Sequence, residues 1–466
     1  MGTKHVRRAQ VVEELEAVDL GDPRRDRRAL VIASRLATQP EASLPLAMGG
    51  DAALEGLYRH LNSPEICLEE LLRPHVERTV ARVKEAGLAF AISDTTGCTF
   101  GGDVRREGLG PVDSEGDQGF RAHATLAVAA DGSRRPLGLV AMGTRARVGE
   151  KARGHNEADR WSQGLTVAEA HFQPGQLIHV ADRESDIFEL LAEARERTWR
   201  FIFRSTYDRV LVPDAEGGVA RLFAAVNSQA HRFRVEVPLS ARPRGKRPSK
   251  QVASFPVRNG RLAELCFSSM TVKLKRPHHV LARHSKWVEV NVVRAWEPTP
   301  PPGEPPVEWL LYTSEAISTD EEVKAVVDGY RTRWVIEEYF KTLKTGCAFE
   351  SRQLESAHGL FNLFAYALVV AYALLLMRTL SREKKDRPAT DVFTASQLRC
   401  LHLLSRGKLE RAPTVRKALL RTAALGGHIK NNGEPGWRTL SRGWQKLLAA
   451  EEILELDQAA RNCDQS

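Results

Sequence analysis

At 466 residues, with 42% hydrophobic and 27% charged positions, the chain can form about two to four units that each bury a core, and wholesale disorder is excluded. A formal charge of +9 and a pI near 9.3 suit a polyanionic partner, nucleic acid first and an acidic membrane surface second. The six cysteines, Cys67, Cys98, Cys266, Cys347, Cys400 and Cys463, form no CxxC pair, so neither a zinc site nor a disulfide framework is expected and a reducing cytosol fits.

The N-terminus, MGTKHVRRAQVVEELEAV, has no apolar signal core, carries Glu13, Glu14 and Glu16, and lacks the Ser or Thr that myristoylation would require. The first stretch of the chain reads as helical. Asp22 before Pro23 is an N-cap followed by a proline suited to a first turn, opening a helix that starts with Arg24, Arg25, Arg27 and Arg28. A second helix, DAALEGLYRHLN, starts at Asp51 and carries Tyr58, Arg59 and His60. These cationic helices are read as DNA-backbone contacts, against the plainer reading of solvated faces.

From Leu88 the period changes. LAFAISDTT is a short apolar run ending at Asp94, and RAHATLAVAADGSRRPLGLVAM predicts a hairpin about an Asp-Gly-Ser turn. A polar helix is predicted around 157–172. QLIHVADRESDIFELLAEARER is a strand ending at Asp182 that passes directly into a helix, and WRFIFRS is a further strand. Strand, hairpin, helix, strand, helix, strand is the order of a mixed α/β sheet with helices packed on it. Residues 207–307 are β-rich, with a basic loop at 242–250 and a proline-rich turn before VEWLLYTSE. The apolar run at 360–377 has the length of a membrane span, but Asn362, Tyr366 and Tyr372 interrupt it, and the favoured reading is the central helix of a large domain. A charged linker, SREKKDRP, then leads to a helical C-terminal region whose Leu440, Leu447, Leu448 and Leu454 suit either dimerisation or a monomeric cap.

Asp94 and Asp182 each stand where an apolar strand stops. Ligands gather at strand ends in such sheets, so two carboxylates there can meet around a cation. The plainer readings are an Asx turn at Asp94 and a helix cap at Asp182. YRTRWVIEEYFKTLKTG, residues 330–346, reads as one continuous helix and separates Glu337 from Glu338. At roughly 100° per residue from Tyr330, Arg333 falls at about 300°, Glu337 at about 340° and Lys344 at about 320°, whereas Glu338 falls at about 80°. Glu337 thus shares a face with Tyr330, Arg333 and Lys344, beside an apolar stripe of Ile336, Phe340 and Leu343. Ion pairs of Glu337 with Arg333 and Lys341, worth roughly 0.2–0.5 kcal/mol each, are the plain account. A phosphodiester site needs this mixture, with carboxylates for divalent metal and Arg, Lys and Tyr donors for the phosphates.

The spacing Tyr-x2-Arg-x3-Glu-x6-Lys, met by Tyr330, Arg333, Glu337 and Lys344, with DTT at Asp94 and DRESD at Asp182, resembles the DDE transposases of the insertion-sequence-four family, the group of the transposon-five transposase. The likeness runs over nearly the whole chain. LGDPRR and EGLYRHLNSP resemble the family's N-terminal DNA-binding region, EWLLYTSE its strand after the β insertion, and LGGHIKNNGEPGWRTLSRGWQKL its C-terminal end. The resemblance implies an RNase H-like core, a mixed sheet flanked by helices and interrupted by a β-rich insertion. Residues 1–70 would form a helical DNA-binding domain, 71–380 the catalytic domain with its insertion at about 207–307, and 381–466 a helical dimerisation domain. LATQPEAS departs from the pattern, lacking the Lys-Tyr contacts of the transposon-five type, which bears on the end sequence read.

The resemblance further implies two-metal phosphoryl transfer with Mg²⁺, or Mn²⁺ in its place, the ions held by a bridging Asp94 with Asp182 and Glu337. Arg333 and Lys344 would anchor phosphates, Tyr330 would donate a hydrogen bond, Trp309 would stack on a displaced base, and Arg28 and Arg59 would touch the transposon end. The implied activity is cut-and-paste transposition of double-stranded DNA. Inverted repeats are bound, cut through a hairpin and joined to target DNA by a homodimer in the bacterial cytosol, nucleoid-associated and away from membranes. The rivals are a DNA-binding regulator that has lost cleavage, a membrane-associated protein and, nearest, a nuclease that cleaves without strand transfer.

Overall fold

The computed structural model describes residues 6–102, 105–112, 117–147, 158–213, 220–239, 258–382, 387–429, 431 and 433–463, so the basic loop 242–250 lies outside the described residues. Its strands are β1 (Ala89–Phe100), β2 (Gln118–Ala129), β3 (Pro136–Arg145), β4 (Leu177–Ala181), β5 (Arg200–Arg204), β6 (Phe233–Leu239), β7 (Arg261–Lys275), β8 (Trp287–Trp296) and β9 (Glu308–Thr313). The fold is mixed α/β, and the chain divides into two compact units. One comprises Met1–Gly87, Thr95–His155 and Trp334–Ser466, the other Leu88–Asp94 and Asn156–Arg333.

The second unit is built on a sheet in the order β1, β4, β5, β9, β8, β7, β6. β1, β4 and β5 run parallel, and β4 is buried along its whole length, which is why LIHVA carries no polar alternation. The β-rich run after residue 207 is not a separate body, because β8 pairs with β9 and β9 with β5, continuing the same sheet. Trp161, Leu191, Phe201, Phe203, Val290 and Tyr312 belong to one core cluster here. The helix Asp320–Arg331 is started by a capping box of Thr319 and Glu322. Its Gly329 lies so close to the sheet that a Cβ there would stand 2.9 Å from Ile202 and 3.0 Å from Phe90.

The first unit holds the β2–β3 hairpin, formed as the Asp-Gly-Ser turn predicts, and most of the helices. The helix Pro23–Thr38 starts as expected, with the Asp22 carboxylate accepting the Arg24 N–H at 2.7 Å. The apolar run becomes the helix Ala357–Arg382. Among the described residues it is the one helix long and apolar enough to cross a membrane, yet 89% of its apolar window is buried inside the protein. The polar residues that interrupt it find internal partners. Asn362 donates to the carbonyls of Leu61 and Ile66, Tyr366 meets His60 at 2.7 Å, and Tyr372 receives the Arg82 guanidinium over its ring. In the C-terminal helices Leu440, Leu447 and Leu448 are buried within the unit.

Residues 330–346 are not one helix. The helix Asp320–Arg331 ends, a turn follows at Thr332 and Arg333, a second helix spans Trp334–Lys341, and Thr342–Gly346 is a π turn. Both breaks fall at a threonine whose hydroxyl donates to a backbone carbonyl, Thr332 to that of Gly329 at 2.6 Å and Thr342 to that of Glu338 at 2.7 Å. The single wheel drawn through Tyr330, Arg333, Glu337 and Lys344 therefore does not apply.

Candidate active site

The strand register brings two of the candidate acids to one sheet edge. β1 pairs with β4 up to Ser93 and Ala181, and β4 with β5 up to Ala181 and Phe203. The next residues, Asp94, Asp182 and Arg204, therefore stand in a row at the C-terminal ends of three parallel strands, neighbouring strands being about 4.8 Å apart. Asp94 is not the end of its strand, as its apolar run suggests. β1 continues to Phe100 with Thr96, Cys98 and Phe100 buried, so Asp94 marks where β1 leaves β4. Asp182 does cap a turn, accepting the Glu184 N–H at 2.9 Å and starting the 3-10 turn Arg183–Ser185 ahead of the helix Phe188–Glu196. Because β9 is antiparallel to β5, its start lies on the same edge. The Ser205 N–H donates to Leu310 and Arg204 to the Glu308 carbonyl, which places Trp309 there, half-buried, its ring edge-on to Tyr330 at 5.9 Å between centroids.

Cations and a neutral donor accompany the acids. Arg333 Nη1 is 3.5 Å from Asp94 Oδ2. Tyr330 is only 4% exposed, and its Oη has no partner at hydrogen-bond geometry. Burial raises the Tyr330 pKa, with the charges of Arg333 and Arg204 and the approach of the Arg204 guanidinium to Oη opposing, so the phenol stays protonated and able to donate. Burial lowers the Arg204 pKa. The sequence reading missed Arg204, although WRFIFRS carries a signal for it: a charged residue closing an apolar strand, as Asp182 does.

Glu337 belongs to the other unit, in the first turn of the helix Trp334–Lys341, and is half-exposed. Its neighbour is engaged elsewhere. Glu338 meets Arg378 at 2.7 Å and Arg382 at 3.8 Å on the helix Ala357–Arg382. Lys344, in the π turn, donates to the Gly97 carbonyl and stands 3.3 Å from Glu350, whose carboxylate also accepts the Thr99 N–H at 3.1 Å. Glu350 is a second residue that sequence reasoning missed, lying beyond the helical spacing that drew attention to Lys344. Arg28 lies across Gly56, where a Cβ would come within 2.9 Å of its guanidinium, and Arg59 is 73% exposed with Glu55 at 3.8 Å. Among the described residues no three His, Cys, Asp or Glu side chains stand close enough together to hold a metal ion.

Residues 7–66 match the family model of the transposase DNA-binding domain, and residues 152–374 match that of the transposase DDE domain. The chain is a DDE transposase. The DNA-binding match contains Arg28 and Arg59. The DDE match contains Asp182, Trp309, Tyr330, Arg333, Glu337 and Lys344, and Asp94 lies between the two. A piggyBac transposase synaptic complex with hairpin DNA, solved by cryo-EM, is similar over 97% of this transposase and 79% of that chain, at 7% identity and a TM-score of 0.38, a likeness too remote to inform fold or chemistry. DDE transposases use divalent metal. The donor set fits such ions, since Asp94 and Asp182 offer hard carboxylate oxygens suited to Mg²⁺ or Mn²⁺.

Proposed function

We propose that this transposase is of the insertion-sequence-four type and performs cut-and-paste transposition, binding inverted repeats, cleaving the DNA and joining the ends to a target. The observation that carries the reading is the row of Asp94, Asp182 and Arg204 at one sheet edge, with Arg333 and the protonated Tyr330 beside it. Two carboxylates for cations next to donors for phosphate oxygens are what phosphodiester cleavage needs. In this reading the parallel strands belong to an RNase H-like core, 207–307 is its insertion, and the helices at 1–70 and 381–466 serve DNA binding and dimerisation.

Asp94, Asp182 and Glu337 would hold two Mg²⁺ ions, or Mn²⁺ in their place. When bound, such ions activate a nucleophilic oxygen and stabilise the leaving one. Arg333 can turn from Asp94 to a phosphate, and Tyr330 Oη, toward which Arg204 can only donate, keeps its own proton for a non-bridging oxygen. Glu350 and the Gly97 carbonyl keep Lys344 oriented until a phosphate competes for it. The half-buried Trp309 would stack on a displaced base if cleavage passes through a hairpin, and Arg28 and Arg59 would touch the backbone of the transposon end. A homodimer working in the cytosol on paired ends completes the proposal. Incubating pre-cut end duplex with target plasmid and Mg²⁺ tests it: joined products are expected, and cleavage of uncut ends without joining would favour a nuclease.

A further inference from the structure

We propose that a cleft beginning at the residue after Asp182, within the same unit, binds a single strand of DNA. The cleft has a volume of about 800 Å³, and Arg183, Tyr207, Arg221, Lys275, His278 and His279 are among its walls. Its floor is fixed by backbone pairing, the Lys275 N–H donating to Val210 at 2.9 Å and the Val212 N–H to Lys273 at 2.8 Å. Most of its acids are already neutralised. Buried Asp186 meets Arg209 Nε at 2.8 Å and accepts the N–H groups of Thr206 and Tyr207, Glu184 pairs with Arg160, and Asp208 faces Arg221 at 3.6 Å. Arg183 and Lys275 are exposed, and among the described residues neither has a carboxylate within ion-pair distance. With Glu189 as the remaining lining carboxylate, five cations, Arg183, Arg209, Arg221, Lys275 and Arg276, stand against four acids, which leaves the wall a small positive excess.

Tyr207 supplies what a charged patch alone lacks. The residue is 60% exposed, its backbone N–H is held by Asp186, and the Arg209 guanidinium sits 5.7 Å from its ring centroid. A rigid aromatic surface beside unpaired cations suits a stacked base with its phosphates. The volume lies within the range of sites that enclose one small molecule, about 300–1,000 Å³, so a few nucleotides fit and a duplex does not. Starting next to Asp182, the cleft is where a strand leaving the catalytic edge would run. Only this last placement rests on the transposition reading.

The full-length chain in EDTA is titrated into a fluorescein-labelled oligothymidylate of about fifteen nucleotides, and separately into a duplex of equal length, following anisotropy. Tyr207→Ala is expected to weaken single-strand binding about fivefold or more. Arg183→Ala with Lys275→Ala is expected to reduce the log-log salt slope by roughly 1.4, at about 0.7 for each phosphate that is no longer neutralised. Duplex binding should be unchanged. The proposal is overturned if a triple variant that melts at the wild-type temperature keeps its affinity and slope, or if duplex binding falls equally, which would mark a general basic surface. Catalytic failure of Glu337 variants would bear on the cleavage site and leave these titrations unaffected.

Discussion

Glu337 and Glu338 are adjacent in sequence and differ in what holds them. Glu338 is tied to Arg378, whose side chain is only 14% exposed, so Glu338→Ala is expected to lower stability by about 1 kcal/mol, discounted for its partial solvation, and to leave DNA nicking intact. Thermal melts paired with a nicking assay separate the two effects. Lys344 belongs to binding: Lys344→Ala is expected to weaken complexes with end DNA about tenfold, as removal of a charged phosphate anchor should, and a gel-shift titration measures it. The spacing of Tyr330, Arg333, Glu337 and Lys344 made these residues legible. The helical wheel used to explain the spacing was wrong, because a hydrogen-bonding threonine at each break looks like any other helix position in sequence. Arg204 and Glu350 stayed hidden for a different reason, since strand register and tertiary pairing brought them into place and neither is written in local periodicity.

At the scale of elements, β4 and β5 were legible because strands covered on both faces carry near-continuous apolar runs, broken only by His179 in β4 and flanked by Arg200 and Arg204 in β5. β1 was only half legible, for after Asp94 it changes partner and its pattern turns from continuous to alternating. The helix Asp320–Arg331 presses Gly329 onto Phe90 and Ile202, a closeness that no glycine advertises in sequence. Gly329→Ala is expected to cost about 1–3 kcal/mol through overpacking, outweighing the gain in helix propensity. Urea denaturation would show it as a lower midpoint, and an unchanged midpoint would mean that the sheet yields there.

Across the whole molecule, the first unit is held by a buried charge cluster that has no sequence signature. Glu14 is 3% exposed and meets His75 at 2.6 Å and Arg82 at 2.6 Å. Burial alone would raise the Glu14 pKa, but the hydrogen bonds and charges of His75 and Arg82 prevail and hold it at about 2, against an ordinary value of 4.5. A depressed carboxylate contributes stability above its unfolded pKa and loses it as pH falls towards its folded one. A loss on the order of 3 kcal/mol between about pH 4.5 and 2 is therefore expected. Melting curves across that window should show the wild type falling steeply and Glu14→Gln, already less stable, losing this part of the slope.

The catalytic assignment rests on three carboxylates, Asp94, Asp182 and Glu337. Its most direct measurement is Mg²⁺-dependent nicking of transposon-end DNA by Asp94→Asn, Asp182→Asn and Glu337→Gln, each compared with wild type at matched end binding. All three are expected to bind ends normally and to nick at background level. Wild-type nicking by a folded variant at any one of these positions would contradict the assignment of that residue to the catalytic triad.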